Sequence, residues 1–585
     1  MYILGISSFY HDSAACLLKD GEIAASAQEE RFTRKKHDHN FPANAIHWCL
    51  GFAGITAAEL GLVIFYDKPL IRFERILRNS LAFTPSGVRE FILAAPLWYK
   101  QDLRIADLIK GELGYKGKVI FSSRHESQVA AAFYPSPFQE AAFLIVDGAA
   151  DRQTVSFGTG KGRDIKILSS MSFPHSPGLL YSAFTYYAGF KVNSGEYKLM
   201  GLAPYGRPKY ADLILDNLIS LKDDGTFKLD TRYFNYSNGV MLTNRRFEEL
   251  FGGPPRKPET EITQKDMDVS ASIQQVTEEI ILRMARQARK VTGQDKLCLA
   301  GEVALNCVAN GRILRDGCFK EIWVQPASGD AAGALGAAFV AWHKHLGNKR
   351  QADNKNDRLK GSFLGPSFSD EYIEDLLKKN DIPYRKLAYP DIPQAVANLI
   401  EQDNVIGWFE GALEFGPRAL GARSILADAR NKELRSRMNL KVKFRESFRP
   451  FAPTVLAEHA SKWFDLGCQS PYMLLVAPVR EEARLAIPAV THVDNSARVQ
   501  TIKREAHPLY YDTIDAFYKK TGCPVVINTS FNVRGEPLVC RPEDAIRCFM
   551  RAEMDYLIMG CFLLDKRHQK PLENDKDWQK GIEPD

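Results

Sequence analysis

The chain opens with two short apolar runs, YILGIS and AACLLK, separated by the polar segment SFYHDS. Runs of this length bounded by turn residues predict strands, and Asp20-Gly21 predicts a tight hairpin into a third strand. The pattern returns in AAFLIVDGAADRQTVSFGTGKG: apolar strand, Asp147-Gly148 turn, second strand, Gly-rich hairpin. KLCLAGEVALNCVANGRIL and QPASGDAAGALGAAFVAWHKHL each run from an apolar strand through small residues into a helix, the latter with Asp330 at the helix entrance. Strand–turn–strand units separated by helical material predict an α/β architecture, a duplicated ribonuclease-H-like fold with a nucleotide cleft between its halves. Small residues at the junctions would let a nucleotide approach backbone N–H groups. Residues 41–118 read as helices and short connections. GEYKLMGLAPYGRPKY reads as a loop closing over a ligand, and VSASIQQVTEEIILRMARQARKV as an amphipathic helix.

The pattern changes at 346–362, a polar, charged stretch that predicts a linker between a domain at 1–345 and a second at 363–585. In the second domain VVIN predicts a strand that ends in a polar turn around Ser530 and Asn532. Residues 414–453 crowd Arg418, Arg423, Arg435, Arg437, Lys441, Lys443, Arg445 and Arg449 among Phe415, Leu420, Phe444, Phe448 and Phe451. Guanidinium groups held by packed aromatics can grip phosphate and keep their geometry. Lys443-Phe-Arg445 and Ser530-Phe-Asn532 therefore read as one nucleotide-activating site. A structural salt-bridge network is the competing reading. HVDNSARVQTIKRE adds Arg498 and Lys503 on a strand-like segment, and residues 574–585 read as a loose tail.

Chemistry of another kind sits in the first polar turn. His11 beside Asp12 is either an exposed turn residue or a general base whose imidazole the carboxylate orients. Arg31, Arg34, Lys35 and Lys36 follow as a phosphate grip or a charged surface loop.

A length of 585 residues implies roughly two to four domains. The composition, 45% apolar and 25% charged, is that of a globular protein, and a net charge of +6 gives no nucleic-acid signal. Ten cysteines without a CxxC pair indicate neither a disulfide framework nor a zinc finger. With no charged leader and no run of bilayer-spanning length, the expected location is the cytoplasm, away from membranes.

GISSFYHDSAACLLKDGEI, SGEYKLMGLAPYG, LEFGPRALGARSILAD, KFRESFRPFAP, HVDNSARVQT and NTSFNVRGEPLVC resemble the NodU/CmcH-type O-carbamoyltransferases over nearly the whole chain. The resemblance implies a TsaD-like domain of the actin and heat-shock ATPase type joined to an α+β YrdC-like domain. It implies transfer of a carbamoyl group from carbamoyl phosphate, through carbamoyl-adenylate, to a hydroxyl of a small natural-product acceptor, with Mg-ATP consumed. Arg418, Lys443, Arg445 and Arg498 would then neutralise phosphates, and Ser530 and Asn532 would bind phosphate or carbamoyl oxygens. His11 would take the acceptor proton, with Asp12 steadying it, and AMP would leave. Lys36, Lys198, Gly301, Asn306 and Asp330 would line the TsaD-like cleft. A homodimer is left open, and the acceptor has no portable signature.

The chain departs from the family pattern in one region. Members carry two metal-binding histidines four residues apart; here Arg124 and Gln128 occupy those positions, leaving His125 between them and Asp147 and Asp330 as the remaining acidic positions. Glu302 stands where a glycine is usual, Ala412 where an arginine is usual, and AAD follows the Asp147-Gly148 turn. No tightly held Fe²⁺ or other transition metal is therefore expected. The alternative function is a relative that uses its adenylating site for other acyl or amide chemistry, or a transfer-inactive binding partner in a biosynthetic pathway.

Overall fold

The structure is a computed structural model, described here for residues 1–68, 104–148, 153–235 and 242–571. The AAD turn, much of the 41–118 region and the 574–585 tail lie outside those residues. The chain divides into two compact units, Met1–Glu29 with His37–Arg358 and Glu30–Lys36 with Leu359–Asp585.

The first unit holds two five-stranded sheets built alike. In one, β1 (Tyr2–Ser7), β2 (Ala14–Lys19) and β3 (Glu22–Gln28) form an antiparallel meander, and β4 (Leu60–Phe65) and β5 (Val119–Phe121) add in parallel beside β1. In the other, β6 (Glu140–Val146), β7 (Gln153–Lys161) and β8 (Asp164–Ser172) form the meander. After a small β9 (Ile219–Leu221) and β10 (Phe227–Leu229) hairpin, β11 (Lys296–Ala300) and β12 (Glu321–Val324) extend it in parallel from β6. The orders β3-β2-β1-β4-β5 and β8-β7-β6-β11-β12 are the same topology twice, the duplicated ribonuclease-H-like α/β fold.

Two sequence readings change here. The region 41–118 contains strand β4, whose apolar run LGLVIF is too short for its period to separate strand from helix. GEYKLMGLAPYG is not a loop: Glu196–Leu202 is a helix, and a side chain at Gly206 would collide with the Met267 backbone of the helix Gln264–Thr292. The glycines of the helix Asp330–Phe339 serve packing, because a Cβ at Gly336 would strike the Ser127 carbonyl and one at Gly333 the Tyr66 ring. The polar stretch after 345 is anchored at Arg350, which is buried and donates to the carbonyls of Phe133, Tyr134, Ser136 and Phe138.

The second unit is α+β, built on a nine-stranded mixed sheet. In chain order its strands are β13 (Arg385–Lys386), β14 (Ile406–Phe409), β15 (Arg423–Asp428), β16 (Ala452–Leu456), β17 (Leu475–Pro478), β18 (Ser496–Ile502), β19 (Val525–Ser530), β20 (Tyr556–Met559) and β21 (Phe562–Asp565). The spatial order is β13-β21-β20-β14-β15-β19-β16-β18-β17. β15 is buried along its whole length and runs antiparallel to β19, with Ser424 opposite Ser530. The short segment Glu30–Lys36 belongs to this unit. Its Phe32 packs on Leu413, Ala419, Leu538 and Cys540.

Candidate functional site

In the first unit, the polar turn between β1 and β2 places His11 among carboxylates. Its Nδ1 lies 2.9 Å from Asp12 Oδ2 and its Nε2 2.7 Å from Glu302 Oε1. Its backbone N–H donates to Asp330 Oδ2 at 3.1 Å. Glu302 reaches this turn because Gly301, at φ 87°, turns the chain where a Cβ would strike the Val146 carbonyl.

Arg124 lies beside them. Ser123 caps the helix Arg124–Phe133, which puts Arg124 and Gln128 one turn apart on one face. The Arg124 guanidinium is 1% exposed, sits 2.7 Å from Asp330 Oδ1, 3.1 Å from Glu302 Oε1 and 3.8 Å from Asp147 Oδ2, and covers the Tyr10 ring at 4.3 Å. Gln128 donates to the Gly329 carbonyl at 2.7 Å, and the His125 ring bonds to Ser156.

The charges set the titration of the group. Burial pushes the His11 pKa down, but Asp330, Glu302 and Asp12 outweigh it and hold the imidazole well above its ordinary value. Burial raises Asp147 to about 6, helped by the charge of Glu302. Burial would also raise Asp12 and Glu302; His37 and His11 hold the first well below the usual carboxylate range, and His11 with Arg124 lowers the second. The surroundings therefore favour the charged form of His11, with each ring nitrogen against a carboxylate oxygen.

Ligand atoms of His11, Glu302 and Asp330 lie within 4.8 Å of one another. Arg124 already neutralises Glu302 and Asp330, so a cation placed there would meet a fixed positive charge. As arranged here, with Arg124 among them, the residues do not fit a transition metal.

Other expected cleft residues have visible structural duties. Asn306 caps the helix Cys307–Asp316 through the Ala309 N–H and bonds to Gln274. Lys198 is buried on the helix Glu196–Leu202, 5.7 Å from the Phe190 ring centre. Lys36 belongs to the segment Glu30–Lys36 of the second unit.

In the second unit the Lys443 ammonium knots the turn after β19. It donates toward the Ser530 carbonyl (2.7 Å), Ser530 Oγ (3.2 Å), the Asn532 carbonyl (2.7 Å) and Asn532 Oδ1 (2.5 Å). Arg445 lies over the Phe451 ring at 4.7 Å, with Nε fixed on Asn439 Oδ1 at 2.8 Å. Arg498 lies on β18, opposite Val476 of β17, and Arg418 lies in the loop before β15.

The rest of the basic stretch divides. Arg437 pairs with Asp555 at 2.8 Å and Lys441 with Glu553 at 3.2 Å, which are surface ion pairs. Arg423 is a core residue, 3.6 Å over the Phe409 ring and donating to the carbonyls of Pro366, Glu410, Gly411 and Ala422. Burial lowers its pKa to about 10. Arg31 donates to the Gly416 carbonyl, and Arg34 to the carbonyls of Pro537 and Leu538, so these two anchor a segment.

Residues 2–339 match the family model described as Carbamoyltransferase N-terminus, and residues 397–566 match Carbamoyltransferase C-terminus. The chain belongs to the carbamoyltransferase family. Similar proteins include the uncharacterized protein sll1178 of Synechocystis sp., 53% identical over 100% of both chains. Nodulation protein NolNO of Sinorhizobium fredii is 36% identical over 98% of this chain and 81% of its own. Nodulation protein NolO of Bradyrhizobium diazoefficiens is 38% identical over 76% and 79%. Solved structures with weaker likeness include component A of the Acidaminococcus fermentans (R)-2-hydroxyglutaryl-CoA dehydratase (16% identical, 59% of this chain and 99% of that chain, TM-score 0.32). HypF of T. kodakarensis is another (11% identical, 59% and 48%, TM-score 0.29). Among the described residues no helix of this carbamoyltransferase is long and apolar enough to cross a membrane.

Sequence reasoning missed the groups that support the loop before β15. Glu414 is buried and accepts the N–H groups of Leu420 (2.8 Å), Ala422 (2.7 Å) and Arg423 (3.1 Å). Gln500 donates to the Leu420 carbonyl at 2.7 Å and joins Asn528 and Thr454 in a buried polar group. The signal was present as Thr454, Gln500 and Asn528 within the strand-forming runs, where an unpaired buried polar group would be costly.

Proposed function

We propose that this carbamoyltransferase uses ATP to activate carbamoyl phosphate as carbamoyl-adenylate in its second unit. The first unit then delivers the carbamoyl group to a hydroxyl of a small-molecule acceptor. Water releases inorganic phosphate from carbamoyl phosphate. A carbamate oxygen then attacks the α-phosphorus of ATP and pyrophosphate leaves. In transfer, the acceptor oxygen attacks the carbamoyl carbon, the bond to AMP breaks, and the hydroxyl proton passes to His11. Arg418, Lys443, Arg445 and Arg498 balance the phosphate charge, and Ser530 and Asn532 contact phosphate or carbamoyl oxygens. Mg²⁺ enters with ATP as part of that substrate.

The observation that carries this reading is the division of charge. The second unit has guanidinium and ammonium groups fixed by Phe451, Asn439 and the Ser530–Asn532 turn. The first has an imidazole fixed between carboxylates. Each suits one half-reaction. Glu302 favours a second reading, because it occupies Nε2, the atom that would accept the proton; a first unit held this way is transfer-inactive until Glu302 moves.

The test separates the steps. Protein with Mg-ATP and carbamoyl phosphate is expected to release pyrophosphate only when both are present, and Arg445→Ala to abolish the signal. His11→Asn is expected to spare that release while lowering transfer to an acceptor drawn from a metabolite extract by about 10²–10⁴-fold. A folded wild type that releases no pyrophosphate defeats the activating role, and equal loss of both steps in His11→Asn defeats the base role.

A further inference from the structure

The chain re-enters the first unit at His37, and the loop that begins there is bonded to the His11 turn at three points. The Phe9 N–H donates to the His39 carbonyl and the Ser13 N–H to the Asp38 carbonyl, each at 2.8 Å. Between these two clamps, His37 Nδ1 lies 2.9 Å from Asp12 Oδ1, while Asp12 Oδ2 holds His11 Nδ1 at 2.9 Å. One carboxylate is shared by two imidazoles, one on each oxygen. Phe9 (φ 72°), Asp12 (φ 48°) and His37 (φ 57°) all adopt the left-handed backbone region that side chains disfavour. The surroundings must hold all three there. The Asp38 carboxylate closes its own loop by accepting the Asn40 N–H at 3.0 Å and its side-chain amide at 2.7 Å.

We propose that His37 is a positioning residue for His11, acting through Asp12. The terminal torsion of an aspartate is broad, so one hydrogen bond to one oxygen leaves the carboxylate plane free to swing. A donor on each oxygen fixes that plane. With the plane fixed, Asp12 holds the Nδ1 proton of His11 and aims Nε2 at the position Glu302 now occupies, which is the face an acceptor hydroxyl must reach. The same logic orders a ligating or catalytic histidine through the group on its other nitrogen. The functional consequence rests on the proposed role of His11; the geometric claim does not.

The experiment is nuclear magnetic resonance of the full-length protein labelled with ¹⁵N histidine, without substrate. The His11 Nδ1–H signal is assigned by its loss in His11→Asn. His37→Ala is expected to speed exchange of that proton with water by about tenfold, the loss of one charge-assisted hydrogen bond. His37→Asn keeps a donor for the same oxygen and is expected to restore slow exchange. A folded His37→Ala protein with an unchanged His11 signal overturns the proposal. Should that variant not fold, Asp12→Asn carries the test: both the His11 and the His37 ring signals are expected to shift, and a shift confined to His11 overturns the shared bridge. If His11→Asn leaves transfer intact, the proposed function fails while this measurement still decides the role of His37.

Discussion

Both ring nitrogens of His11 face carboxylates, so the residue proposed to take a proton is held toward its charged form. On the proposed role, an acceptor hydroxyl entering at Nε2 would displace Glu302 and remove one of the charges that raise the imidazole pKa, leaving Asp330 and Asp12 beside it. The same charges link folding to pH. A histidine whose pKa is raised by folding contributes stability that is fully present below 6.5, its ordinary value, and is lost as pH rises through the folded value. Asp147, raised to about 6 from 3.8, works in the same sense but only at lower pH, and Asp12 and Glu302 lose their contribution only in acid. The melting temperature of the first unit is therefore expected to fall as pH rises above about 6.5, and His11→Asn to flatten that slope; an unchanged slope in the variant would remove His11 as the cause. Arg124 supplies a second expectation. A guanidinium among Asp147, Asp330 and Glu302 does the charge balancing that a cation would do elsewhere. Elemental analysis of purified protein is expected to find no near-stoichiometric iron or zinc. Arg124→His with Gln128→His is expected to create such binding. Stoichiometric metal in the wild type would mean that Arg124 leaves the cluster in solution.

Elements carry the site by presenting turns at strand ends. The β1–β2 turn presents His11, the turn after β11 presents Glu302, and the turn after β19 presents Ser530 and Asn532. These turns were legible in the sequence because each follows a short apolar run and is rich in residues that favour turns. Of the K-x-R and S-x-N pairs, Lys443 meets Ser530 and Asn532, while Arg445 is held by Asn439 and Phe451. What could not be read was contact across long separations: Glu302 lies 291 residues from His11, and no local pattern announces that bond. The helix Glu196–Leu202 was misread because its glycines, which look like loop residues, are consumed by packing. The loop before β15 shows how much such hidden support contributes. Three backbone N–H groups converge on the Glu414 carboxylate in a site that is 2% exposed. Glu414→Ala leaves all three buried and unpaired, so a loss of about 3 kcal/mol is expected in denaturant unfolding of the second unit. Glu414→Gln, which keeps one acceptor oxygen, is expected to lose less. A change within a few tenths of a kcal/mol would mean that water replaces the carboxylate.

At the scale of the whole molecule, the order of the chain and the order of its units disagree. The seven residues Glu30–Lys36 lie between strand β3 and His37, both of the first unit, yet they are built into the second. Phe32 rests on Leu413, Ala419, Leu538 and Cys540, Arg31 holds the Gly416 carbonyl at 2.8 Å, and Arg34 holds the Pro537 carbonyl at 2.9 Å. Those contacts come from the two loops that flank the Lys443 knot, so the second unit as a linear stretch from 359 onward lacks part of its own core. The chain divides into two compact units, and such proteins commonly unfold in more than one step. Calorimetry is therefore expected to resolve two transitions. Truncating Phe32 removes a ring that is only partly buried, so the cost is below that of a full core phenylalanine, about 2 kcal/mol. Phe32→Ala should lower the transition of the second unit by several degrees, as expected for about 2 kcal/mol in a unit of this size, and leave the other in place. Glu414→Ala identifies which transition is which, since it lies wholly in the second unit. If Phe32→Ala instead moves only the transition that Glu414→Ala leaves alone, the segment belongs energetically with the strands that flank it in sequence.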